Sequence, residues 1–165
     1  MAMVGLFWVT EDGVVYVGSE PEGYGRGVRL TAAGVEGLGT DQGGSWAWGE
    51  VGGVEVRDMK IRPSTSRLLV GAAVDLVVST ISGGGDSPGA FEVHLDTADG
   101  TVELEAYVAA AAGGYAQSEY DLSVALLKRL ADGTADLGAL EEWGRGAEGT
   151  PRREEREALL RKWAS

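Results

Sequence analysis

The chain has 165 residues, a length that suits one domain with a sizeable core, and its formal net charge is −12 at pH 7. This charge repels phosphate groups, so it argues against nucleic-acid partners and against contact with anionic membranes. The chain has no cysteine and one histidine, which excludes disulfides, thiol catalysis and zinc–thiolate sites.

The first half of the chain predicts short antiparallel strands. The apolar run Leu6-Phe7-Trp8-Val9 is followed by Asp12-Gly13, a tight-turn signal, and then by Val14-Val15-Tyr16-Val17. Another strand is predicted over Gly27–Thr31. Val54, Val56 and Asp58 share one face of the next segment and Glu55 and Arg57 share the other, which indicates a half-buried strand.

Residues 64–81 contain the most apolar stretch of the sequence. Pro63 and the following Ser-Thr-Ser cluster predict a helix start. Small or polar residues then recur every four positions, from Arg67 to Ser79, so the helix would be apolar on most of its surface and buried. Two buried strands are the alternative. A membrane span needs about 20 apolar residues, and this stretch is shorter and contains Asp75.

The clearest local pattern is a β-hairpin over residues 91–107. Phe91, Val93 and Leu95 alternate with polar residues, Asp99-Gly100 turns the chain, and the alternation resumes. We expect one apolar face and one polar face. The polar face would carry His94 as a surface residue, next to several glutamates.

Helices are predicted in the last third of the chain. Ser118 has the character of an N-cap for an amphipathic helix that ends at Asp132-Gly133. Residues 132–149 then form a linker with a short helical turn. Residues 150–165 form a C-terminal helix, with Thr150-Pro151 at its start.

The order of strands, apolar insertion, hairpin and amphipathic helix resembles the pleckstrin-homology-like superfamily, particularly its small bacterial PH-like and GRAM-like domains. The local match is Trp48-Gly49-Glu50-Val51-Gly52-Gly53-Val54-Glu55-Val56, an aromatic and an acid followed by spaced valines. The resemblance implies an α+β fold over residues 4–131: an antiparallel PH-like sheet or barrel closed by the amphipathic helix, with an apolar helical insertion at about 64–81. It also implies a binding or scaffolding role. Glu11 and Asp12 stand where lipid-binding members carry basic residues, which argues against phosphoinositide binding.

No complete catalytic motif is present. The chain has no asparagine and only two isoleucines, an amino-acid usage typical of GC-rich genomes, for example those of actinobacteria. The sequence start lacks the basic and long apolar regions of a signal peptide, which together with the absent cysteines predicts a cytoplasmic protein. We expect a non-enzymatic protein-interaction or scaffolding module without cofactor or metal, binding a protein partner or forming a homo-oligomer. Its predicted interaction residues are apolar: Leu68, Leu69, Val74, Val77, Val78, Leu159, Leu160 and Trp163.

Two alternatives stay open. The first is a small-ligand or hydrolytic site on the acidic hairpin face, which requires a concave pocket at Glu103, Glu105 or His94. The second is peripheral membrane contact through residues 68–81.

Overall fold

The computed structural model describes residues 2–57, 61–62, 89–109 and 115–165. Within these residues the chain is α+β, with two antiparallel sheets and three α-helices. The predicted insertion at 64–81 lies outside the described residues. So do five of the predicted interaction residues, namely Leu68, Leu69, Val74, Val77 and Val78.

The first sheet contains six short strands in chain order, each antiparallel to the next. They are β1 (Ala2–Val4), β2 (Phe7–Val9), β3 (Val15–Val17), β4 (Gly27–Leu30), β5 (Gly34–Leu38) and β6 (Gly44–Ala47). The predicted hairpin around Asp12-Gly13 is confirmed, with Phe7 opposite Val17. Alternate side chains of β2 face the core because successive residues of a strand point to opposite sides.

The second sheet contains three strands, with the first strand of the predicted hairpin in its centre. A short 3₁₀ turn (Trp48–Glu50) leads into β7 (Val51–Arg57), and the predicted hairpin is formed by β9 (Ala90–Thr97) and β10 (Gly100–Tyr107). Leu104 lies opposite Val93 on the apolar face, and both side chains are buried. A small parallel pair is added by β8 (Ile61–Arg62) and β11 (Tyr115–Ala116).

In the described part of the chain, single hydrogen bonds rather than a strand ladder connect the two sheets. The Gln42 side chain donates to the Glu105 carbonyl at 2.9 Å and accepts from the Glu105 amide at 2.8 Å. Elsewhere along β10, the Ser19 amide donates to the Tyr107 carbonyl at 2.7 Å. The Gln42 side chain thereby pairs with backbone groups at the edge of β10 that a neighbouring strand would otherwise pair with.

Helix α1 (Gln117–Asp132) packs against β7. Its predicted end is confirmed, since Gly133 adopts a left-handed φ of 75° and closes the last turn. Its predicted start is wrong: the helix begins at Gln117 after Ala116, and Ser118 is not the N-cap. The Ser118 hydroxyl instead donates to the Glu157 carboxylate in the last helix.

Helix α2 (Leu137–Gly146) is a ten-residue helix where only a short turn was expected. Gly144 and Gly146, which fall in the predicted linker, lie inside this helix. Gly144 is required because a Cβ atom there would lie 2.1 Å from Val9 Cγ1 and 3.0 Å from the Thr10 carbonyl oxygen. The missing side chain therefore lets α2 lie directly on the end of β2.

Helix α3 (Arg153–Ala164) starts later than Thr150-Pro151 predicts, because Thr150 accepts a hydrogen bond from the Met3 amide instead of capping the helix. The helix packs along α1 and against β1. Gly5, in the turn after β1, lies close to both helices: a Cβ there would be 2.1 Å from Ser123 Oγ and 3.0 Å from Leu160 Cδ1.

Candidate functional site

Helix α2 has one face in the core and one face toward a groove. Leu137, Leu140 and Gly144 are buried. Ala139 and Trp143, four residues apart, lie on the other side and are only partly buried. The spacing of α2 therefore leaves an indole ring at the surface although the helix is firmly attached.

Helix α3 repeats this arrangement. Leu160 is completely buried, whereas Leu159 and Trp163 face the groove and stay partly exposed. The helix is attached to α1 by Arg156, whose guanidinium donates to both carboxylate oxygens of Glu119 at 2.6 and 3.1 Å. Glu119 is buried and the Arg156 side chain is 17% exposed, so this bidentate pair is largely shielded from water.

The two helices meet through their tryptophans. The ring centroids of Trp143 and Trp163 are 5.7 Å apart, and the ring planes are inclined by 70°. This edge-to-face contact is favourable and fixes the angle between the two indoles.

The groove beside these rings has a cavity volume of about 480 Å³. Its lining combines apolar side chains with three charged ones, those of Asp136, Glu142 and Lys162. The residues around it are Thr134, Ala135, Asp136, Ala139, Glu142, Trp143, Leu159, Lys162, Trp163 and Ser165. A cavity of this size can accommodate side chains of another molecule.

The structure brings together only part of the predicted interaction set. Leu159 and Trp163 line the groove, but Leu160 is part of the core and offers no surface. Trp143 was not predicted to belong to this surface. Its spacing from Ala139, which matches that of Trp163 from Leu159, is the signal that identifies it.

No family model, curated protein or solved structure matches this chain. In the residues that the structure covers, no helix is long and apolar enough to cross a membrane. Nor do the described residues bring three or more histidine or acidic side chains together in a way that would hold a metal ion.

The acidic hairpin face differs from its prediction. His94 is not a surface residue but is 6% exposed, because the central strand β9 places it between Glu55 of β7 and Glu103 of β10. Its Nε2 lies 2.9 Å from Glu92 Oε2. Beside it, Arg57 donates to Glu55 and thereby lowers the pKa of that carboxyl.

A depression of about 210 Å³ adjoins this face, lined by Glu92, Glu103 and Glu105 but not by His94. Arg26 bridges Asp41 at 2.9 Å and Glu105 at 3.0 Å. The Tyr107 hydroxyl donates to the other Glu105 oxygen at 2.9 Å. Both oxygens of Glu105 are thus already occupied, which opposes the use of that carboxylate in acid–base chemistry.

A third concavity, of about 350 Å³, lies at the β2–β3 hairpin. It is lined by Glu11, Asp12 and Glu20 together with Thr10, Val14 and Tyr16. Three of these side chains are carboxylates, and the Arg145 guanidinium lies close to the turn at Gly13.

Proposed function

We propose that this protein is a non-enzymatic protein-interaction module that self-associates, and that the groove between α2 and α3 is its docking surface. The observation that carries the proposal is the pair Trp143 and Trp163, in edge-to-face contact and left partly exposed beside the same groove. Tryptophans in preformed concave sites contribute much of the binding energy in protein interfaces.

We further propose a PH-like architecture for the β-rich part. Two antiparallel sheets followed by a helix that packs on the second sheet support this assignment. Glu11 and Asp12 stand where lipid-binding PH-like members carry basic residues, which favours a protein ligand over a phosphoinositide. Membrane contact through 68–81 concerns residues outside those described.

The test is the mass of the protein in solution across a wide concentration range. We expect sedimentation velocity to show reversible association of the wild-type protein at physiological salt, where the repulsion of two acidic copies is screened. Trp143→Ala should be monomeric at the same concentrations.

Two further variants make the result interpretable. Ala139→Arg fills the groove from a partly exposed position, so it should remove association while the protein stays folded by circular dichroism. Tyr24→Ala removes an aromatic side chain that is 90% exposed elsewhere, and it should associate like the wild type. A wild-type protein that is monomeric throughout, or an Ala139→Arg variant that associates normally, overturns the proposal.

A further inference from the structure

The two indole rings of the groove form a corner. Their planes are inclined by 70°, their centroids are 5.7 Å apart, and both rings line the same cavity. An indole face carries negative charge density and attracts a cation within about 6 Å of the ring. The corner therefore has the shape and the electronic character to hold a positively charged group.

The charges at the edge of the groove favour a cation as well. Asp136 and Glu142 line it against one ammonium group, that of Lys162. Glu142 is exposed and forms no ion pair among the described residues, so its carboxylate is accessible to a cation. Asp136 is held in place because its carboxylate accepts a hydrogen bond from the Gly138 amide at 2.9 Å.

We propose that the side chain seated in this corner is a lysine or arginine of the docked protein. This inference rests on the proposed function and names the chemistry of the occupant. The cationic head lies against Trp143 and Trp163 and toward Glu142. The aliphatic stem contacts Leu159 and Ala139, which also line the groove. In the self-associated form, the second copy supplies this side chain.

The test uses two short peptides with the full-length protein. One is acetyl-Gly-Lys-Gly-amide, and the other carries norleucine, which keeps the aliphatic stem and lacks the charge. Binding is followed by the indole N–H signals of the two groove tryptophans in NMR spectra. We expect the lysine peptide to shift both signals, with the norleucine peptide binding at least several-fold more weakly.

Charge variants at the edge of the groove sharpen the test without touching the core. Glu142→Gln should weaken binding of the lysine peptide by about 2- to 5-fold, and Lys162→Gln should strengthen it by a similar factor. Trp143→Ala should weaken it by about 3- to 30-fold. Lys128→Gln, on the exposed surface of α1, is the matched control and should leave binding unchanged.

The outcomes separate this inference from the proposed function. The proposal of a cationic occupant is overturned if both peptides bind with equal affinity, or if neither charge variant changes the affinity for the lysine peptide. The groove would then remain an apolar docking surface. Absence of any peptide-induced shift, in a protein that still associates through the groove, also overturns it. Charge-dependent peptide binding in a strictly monomeric protein supports the cation site and contradicts self-association.

Discussion

The ion pair between Glu119 and Arg156 connects α3 to α1. Arg156 also donates to the Pro151 carbonyl at 2.7 Å, and Glu119 raises the pKa of the Arg156 guanidinium by accepting its hydrogen bonds. Removing one partner of a buried pair leaves the other charge without compensation.

We therefore expect Glu119→Gln to lower the free energy of unfolding by about 2 to 4 kcal/mol, as measured by urea denaturation. The control is Glu154→Gln, an exposed acid on α3, whose effect should stay within about 0.5 kcal/mol. Equal effects of the two substitutions would show that the pair is not responsible for holding α3.

A second residue-scale prediction concerns Glu157, whose pKa is lowered mainly by the hydrogen bond from Ser118 and further by Arg153. A carboxyl with a depressed pKa contributes stability above its unfolded value of about 4.3, and that contribution is lost as the pH falls through the folded value. In Ser118→Ala the pKa of Glu157 should move up toward the ordinary value in an NMR titration. An unchanged titration would mean that the hydroxyl does not stabilise the ionised form.

These residue-scale contacts also mark where sequence reasoning stops. Serine is a common N-cap residue, but the Ser118 hydroxyl donates a hydrogen bond to Glu157, 39 residues away in the chain. His94 was placed correctly on the polar face, yet its burial depends on Glu55 of another strand. A local pattern gives the face of a residue, whereas burial and partner depend on which elements meet.

At the scale of elements, we expect opposite effects on stability when the two glycines near the C-terminal end of α2 are replaced by alanine. Gly144→Ala should lower the free energy of unfolding by about 1 to 3 kcal/mol, because the added methyl group meets Val9 and the Thr10 carbonyl. Gly146→Ala adds a methyl group with no atom within 4 Å, and it should be stabilising by up to about 1 kcal/mol.

Thermal and urea unfolding of the two variants check this directly. The comparison controls for helix propensity, since both substitutions replace glycine by alanine in one helix. Destabilisation of similar size in both would show that close packing against β2 is not the reason for Gly144.

The elements that the sequence predicted well are those whose signal is local. The β9–β10 hairpin follows from strict alternation and from Asp99-Gly100, and α1 ends at Gly133 as its left-handed conformation requires. The length of α2 was underestimated because frequent glycines are typical of a linker. Only the contact of Gly144 with β2 explains why a glycine is needed there.

At the scale of the whole molecule, the groove exists because α2 and α3 dock on the rest of the fold through their buried faces. Leu159 and Trp163 were predicted as interaction residues from the apolar character of the last helix, and both line the groove. Leu160 belongs to the core instead, because its position on α3 points toward Gly5. Trp143 lies 20 positions before Trp163, and its part in the site depends on the packing of two helices.

The central claim is that protein docking occurs at the groove between α2 and α3. The most direct measurement is a map of backbone and indole NMR signals as the protein concentration is raised. We predict that the changes concentrate at Ala139, Glu142, Trp143, Leu159 and Trp163. Changes confined to the acidic hairpin around Glu103 and Glu105, or spectra independent of concentration, would contradict it.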